Sequence, residues 1–216
     1  MALANPLGAD AFFDRFRLNN AQLVQGFQQQ RSATAGGNAG YADRAVPLWQ
    51  AQCVTVPMEH GEAEGLMALI NSRAGGIKTV LLYNKKLPYP ASDPDGSLVG
   101  SVVPEINVIT DRLHVSFSGF PVGYQIPLGT YFGIVFDTSR YYLGQFLEAR
   151  TANPITGAVA STEIWPPLPA SISSGADIII KKPCAKFRIT PNSAAPSVVD
   201  TLHQTIQFTA EQTYGA

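Results

Sequence analysis

The stretch TYFGIVFDTSRYYLGQFLEAR, residues 130–150, constrains the fold more than any other part of the chain. Two runs dense in aromatic and branched residues flank Asp137-Thr138-Ser139-Arg140, and a further turn signal, Asn153-Pro154, follows soon after. Aromatic and β-branched side chains suit the pleated, half-buried surface of a strand, and short polar residues close a turn. The pattern predicts an antiparallel hairpin that carries no evident catalytic group.

The rest of the chain extends this reading. In RLHVSFSGF, Leu113, Val115 and Phe117 alternate with Arg112, His114, Ser116 and Ser118, which predicts a strand with one wet face. Further strands are expected at Trp49–Pro57, IKTVLLYN, GAVASTEIWPPL, ADIIIKKPCAKFRITP and TLHQTIQFTA. The one helix is GEAEGLMALINSRAGG: Leu66, Leu69, Ile70 and Arg73 recur at helical spacing, Glu62 and Glu64 favour the first turn, and Gly75-Gly76 stop it. About nine short strands and one helix point to a mainly β fold, an antiparallel β-sandwich with one short packed α-helix. No internal repeat is visible.

At 216 residues the chain can bury a core without disulfides or metal, and it is expected to be a single domain over 1–216. An N-terminal arm or hairpin occupies about 1–45. Within it Phe12, Phe13 and Phe16 are placed to pin the terminus, and the glycine-rich segment from Gln28 to Tyr41 is expected to be flexible. The stretch from Lys85 to Pro104, with four prolines and a DPDG turn, predicts an extended surface loop.

A formal net charge of -1 with 14% charged residues gives no strong field to hold nucleic acid or an anionic membrane. Low charge beside 45% hydrophobic residues predicts surfaces covered by partners. Cys53 and Cys184 lack metal or disulfide-framework spacing and read as packed, reduced thiols. The N-terminus lacks the pattern of a secretory signal, and no apolar run reaches the roughly twenty residues of a membrane span. Synthesis in a cytoplasm is the expectation.

The search for chemistry turns up little. His60, His114 and His203 share no local spacing, Glu59, Glu62 and Glu64 are explained by a helix start, and Asp93 and Asp95 by turn chemistry. GxSxG, GxxxxGK[ST] and GxGxxG are absent. Tyr131, Phe132, Tyr141, Tyr142 and Phe146 could stack on sugars or bases, but with few basic residues among them they read as core and subunit contacts. No catalytic residue, metal ligand or cofactor is expected, and the chain reads as no enzyme.

The order of features carries more than any one of them. RAVPLWQAQCVTVPM is followed by GEAEGLMALINSRAGGIKTVLLYN, a Pro/Gly loop, Leu128-Gly129-Thr130-Tyr131-Phe132 with its hairpin, and Trp165-Pro166-Pro167-Leu168. Over roughly residues 45–190 this resembles the tail-tip ring proteins of long-tailed bacteriophages, the distal tail protein group and its relatives. The resemblance implies a structural virion protein of the tail tip, assembled in the host cytoplasm. It would form a homo-hexameric ring that links the tail tube to the hub or baseplate and surrounds the DNA exit channel. The implied partners are further copies of itself, the tail tube protein, hub or baseplate proteins and the tape measure protein, with no specific nucleic-acid binding. Phe27, Tyr41, Tyr89, Tyr131, Tyr141 and Tyr142 are the expected assembly contacts. A tail tube or tail completion protein is the near alternative. A carbohydrate-binding module using Tyr131, Tyr141, Tyr142 or Trp165 is the distant one.

Overall fold

Hydrophobic alternation, interrupted by turn residues, lays the chain out in antiparallel sheets, and the computed structural model describes residues 3–33 and 36–215 of it. A single turn of 3-10 helix, Phe13–Arg15, precedes β1 (Leu18–Ala33), β2 (Ala39–Thr55), β3 (Met58–Glu59), α1 (His60–Asn71) and β4 (Thr79–Leu82). Next come β5 (Glu105–Ile109), β6 (His114–Ser118), β7 (Gln125–Ile126), β8 (Tyr131–Phe136), β9 (Arg140–Phe146) and β10 (Arg150–Thr151). β11 (Val159–Trp165), β12 (Ala185–Ile189), β13 (Ala195–Val198) and β14 (His203–Gln212) complete the chain. The fold is mainly β, antiparallel and sandwich-like, with one short helix packed on it, as the sequence predicts. Several two-residue strands are too short to register as periodicity.

The larger sheet runs β1-β2-β14-β12-β4, with β3 and β13 also paired to β14. The smaller runs β5-β6-β11-β9-β8. Its two ends are drawn together by residues 175–179. The Ile178 N–H donates to Pro104 O just before β5, and the Gly175 N–H to Ile106 O within it. On β8, Gly133 and Ile179 exchange two backbone bonds of 2.8 Å. The smaller sheet therefore closes on itself, which removes both of its edges.

Each sheet has its own core. Under the larger sheet, Trp49, Phe187 and Phe208 meet Phe12, Phe13 and Phe16 from the N-terminal segment and Leu66 and Ile70 of α1. Inside the smaller sheet lie Phe117, Phe132, Tyr142, Phe146, Ile164 and Ile178. The β8–β9 hairpin belongs to both. Because side chains alternate along a strand, Tyr131 and Leu143 face the first core, while Phe132, Ile134, Tyr142 and Phe146 face the second. Trp49 Nε1–H donates to Leu143 O at 2.8 Å across this wall.

Three local expectations need correction. The segment from Gln28 to Tyr41 is not a flexible loop throughout: strand pairing continues to Ala33↔Ala39, while Thr34 and Ala35 lie outside the described residues. The expected strand ADIIIKKPCAKFRITP is broken at Lys182, whose φ is 45°, and Pro183, which has no N–H to donate. Its first half closes the barrel and its second half is β12. The 85–104 loop contains no strand, yet it is anchored rather than merely superficial. Val99 is buried, and the buried Asp93 carboxylate accepts the N–H groups of Leu98 at 3.1 Å and Val99 at 3.0 Å.

Candidate assembly interface

β1 and β2 make a hairpin much longer than the sheet that carries it. β2 pairs with β14 only over Gln50–Val54, whereas the β1–β2 ladder continues to Ala33↔Ala39. Beyond the sheet, Gln28–Ala33 and Ala39–Val46 are exposed on both faces. A free two-stranded ribbon is marginal in water, because it has no apolar face to bury. Here polar cross-strand contacts hold it. Gln29 Nε2–H donates to Asp43 Oδ1 at 2.7 Å, and Arg44 Nη2–H donates to Gln30 Oε1 at 2.8 Å.

The edges of the sheets differ as much as their faces. The smaller sheet is closed by residues 175–179. β4 is covered by the N-terminal segment, where the Leu7 N–H donates to Thr79 O at 3.0 Å and the Leu81 N–H donates to Leu7 O at 2.9 Å. At the other end of the larger sheet's path, β1, sixteen residues long, has no strand among the described residues along its outer side, a far longer edge than those of the four-residue β13 (Ala195–Val198) or of the separate two-residue pair β7–β10. Long exposed edges invite another strand, and isolated proteins usually blunt them.

At the root of the ribbon an open groove of about 570 Å³ lies against the loop after β11. Val46, Leu48, Phe136, Pro167 and Leu168 give it an apolar lining, with Arg112 and Arg140 beside them. Trp165 straddles the same boundary: its indole N–H donates to Gln25 Oε1, and its ring lies 6.3 Å from that of Phe27.

The expected contact residues separate into three groups. Phe27 is 58% exposed and Tyr41 64% exposed, both on the ribbon. Tyr89, Tyr131 and Tyr141 are half-buried, and the Tyr131 ring sits 5.6 Å from that of Trp49. Tyr142 is a correction. It is wholly buried in the barrel core, where its hydroxyl donates to Pro166 O, so it is no surface contact. The pleat puts it on the opposite face of β9 from Tyr141.

The titratable groups mostly secure the backbone. Lys85 Nζ donates to Phe13 O at 2.9 Å and to Phe16 O, fixing the segment that carries the three phenylalanines. Asp14 accepts the Tyr83 hydroxyl at 2.5 Å and pairs with Lys182 at 3.0 Å. Burial alone would raise the Asp14 carboxyl, but the bonds from Tyr83 and Lys182 and the charges of Lys182 and Lys85 outweigh it and hold the group below its ordinary range. Burial pushes the unpaired Cys53 and Cys184 thiols up to about 12, which leaves them protonated and unreactive at neutral pH. His60 Nε2 lies 3.2 Å from Thr201 O, while His114 and His203 each meet an aspartate three residues earlier.

Those last two contacts belong to one structure built twice. Asp111-Arg112-Leu113-His114 joins β5 to β6, and Asp200-Thr201-Leu202-His203 joins β13 to β14. In each, the aspartate Oδ1 accepts the backbone N–H groups two and three residues on, at 2.7 and 2.7 Å in the first and 2.8 and 2.8 Å in the second. Sequence reading finds no internal repeat and passes over this shared Asp-x-Leu-His turn, a signal of only three fixed positions. It also misses the open β1 edge, because local pattern does not say which strands will lack a neighbour.

Among the described residues no helix is long and apolar enough to cross a membrane, and no three His, Cys, Asp or Glu side chains gather into a metal-binding group. Compared with known proteins, the sequence matches no family model and no curated protein.

Proposed function

We propose that the protein is a non-enzymatic structural component that works by assembling with copies of itself, a ring protein of a phage tail tip that links the tail tube to the hub or baseplate. The observation that carries this reading is the β1–β2 ribbon. It has sixteen residues of open edge and a distal half exposed on both faces, a liability in a lone protein and a ready contact in an assembly. Phe27 and Tyr41 stand on that ribbon as exposed aromatic anchors, the residue type enriched at protein interfaces. A ring also suits the low charge. A head-to-tail contact between unlike surfaces closes into a ring when the rotation per subunit allows it. The sequence resemblance supplies the particular setting: neighbours in the tail, a DNA exit channel, and a virion rather than a cellular location.

The sugar-binding alternative draws on Tyr131, Tyr141, Tyr142 and Trp165 as stacking platforms. Tyr142 is core, and Tyr131, Tyr141 and Trp165 are half-buried against their own chain, so they form no open aromatic row.

The test is the mass and symmetry of the purified chain by light scattering and negative-stain imaging over a concentration series, beside a variant in which residues 28–45 are replaced by a tight turn. Rings from the intact chain and monomers from the shortened one are expected. An intact chain that stays monomeric at every concentration would remove the reading.

A further inference from the structure

The path β1-β2-β14-β12-β4 of the larger sheet ends in β1 and β4, and a ring that continues this path from copy to copy uses both: the β1 edge of one copy against the β4 edge of the next. β1 is open. β4 is covered, and what covers it is slight. Of residues 3–7 only Leu7 is buried, at 4% exposure, while Leu3, Ala4 and Asn5 are exposed. This segment occupies the β4 ladder positions one by one. Asn5 Oδ1 accepts the Thr79 N–H at 2.9 Å, Thr79 O accepts the Leu7 N–H, and the Leu81 N–H donates to Leu7 O. Those are the groups that an added strand would use.

A second feature at the same place is unfinished. Arg73 is fully buried just past α1. It holds Ala4 O through Nη1 at 3.0 Å and Ser72 Oγ through Nε at 3.1 Å, but its Nη2 has no partner among the described residues. A buried donor without an acceptor is costly, and native structures rarely keep one without use.

We propose that residues 3–7 form a removable strap over a second strand-pairing site at β4, and that the strand which replaces them is β1 of a second copy. The proposal rests on the ring reading above. The exchange is close to balanced in hydrogen bonds, because an incoming backbone offers Thr79 and Leu81 the same partners and brings carbonyls within the class that Arg73 Nη2 lacks. What it must offset is the burial of Leu7. The strap would turn at Gly8, where a Cβ would lie 2.4 Å from Asp10 Oδ1, and the chain beyond stays anchored by Phe12, Phe13 and Phe16. Covering β4 in the free chain keeps copies from pairing indiscriminately and makes ring closure depend on strap release.

Hydrogen exchange read by mass spectrometry, on the full chain before and after assembly, tests this. Peptides over residues 3–9 should exchange at least about ten-fold faster in the assembled state, while those over Thr79–Leu82 stay protected. Asn5→Ala, which removes the acceptor for the Thr79 N–H, should lower the concentration at which rings appear by roughly ten-fold. Leu7→Asp should do so more strongly, since a carboxylate resists burial at that position. Rings in which residues 3–9 keep their protection would overturn the strap while leaving the ring reading standing. Dimers with an intact strap would show β1 pairing with its own copy and overturn it as well. A chain that forms no assembly defeats both.

Discussion

The β8–β9 hairpin and the β1–β2 ribbon are both antiparallel pairs joined by a short connection, yet one is buried on both faces and the other, over its distal half, on neither. In β8–β9 the aromatic and branched residues fill two cores at once, with Leu143 on one side and Phe132, Tyr142 and Phe146 on the other. In the ribbon Gln29, Gln30, Arg31 and Ser32 face Asp43, Ala42, Tyr41 and Gly40, which offer little to bury. Backbone pairing is common to the two. What differs is where the free energy comes from: apolar burial on both sides of the first, and in the second only a ladder and a few polar contacts, until something covers it. A hairpin can thus be a partition wall or an unfinished interface.

Substitutions that separate stability from assembly sharpen this contrast. The largest effect belongs to Phe132→Ala: the ring is fully buried, 4.8 Å from Phe146 and 5.7 Å from Phe117, and its loss should cost about 3–5 kcal/mol in urea unfolding. Leu143→Ala removes a contact from the opposite face of the wall and should cost about 2–5 kcal/mol. Because both cores share β9, either variant should still unfold in a single transition. Two separate transitions, followed by tryptophan fluorescence and circular dichroism, would break the idea of a shared wall.

Gly144→Ala comes next. Its Cβ would meet ring atoms of Phe132 and Tyr142 at 2.7 to 2.8 Å, and overpacking of this kind costs about 1–3 kcal/mol. A smaller effect concerns Asp14, which helps to hold the N-terminal segment. Its carboxyl lies below the ordinary value in the folded chain, so its contribution is complete above the unfolded value and is lost as pH falls through the folded one. Stability measured below about pH 4 should therefore drop less steeply in Asp14→Asn, and at neutral pH the variant should lose about 1 kcal/mol or less. Smallest of all in stability is Phe27→Ala on the ribbon, expected within about 0.5 kcal/mol. The same variant should weaken assembly measurably by light scattering. If it unfolded as readily as Phe132→Ala, the contrast between wall and ribbon would fail.

The fold was largely legible wherever burial follows a simple period. Val115 and Phe117, the Leu66 and Ile70 face of α1, and the hairpin at 131–146 all lie where alternation or helical spacing puts them. The candidate interface was legible in part. Phe27 and Tyr41 are exposed, but Tyr142 reads like Tyr141 by composition and differs only in which face of β9 it occupies. The two Asp-x-Leu-His turns show the same limit from another side. The local hydrogen bonds repeat almost bond for bond, yet Leu113 is half-buried and its carbonyl accepts the Ile164 N–H at 2.8 Å, whereas Leu202 is exposed. Identical turn chemistry acquires different surroundings from the rest of the chain.

The sequence by itself determined that this protein is antiparallel β with one helix, where its principal turns fall, and that its low charge suits covered surfaces. Those properties follow from side-chain size, branching and backbone preference, which act over a few residues. Only the tertiary structure decided that residues 175–179 would close one sheet, that Leu7 would cap β4, and that β1 would be left open. Each depends on which distant segments reach an edge first, and unpaired N–H and C=O groups accept any backbone that arrives in register.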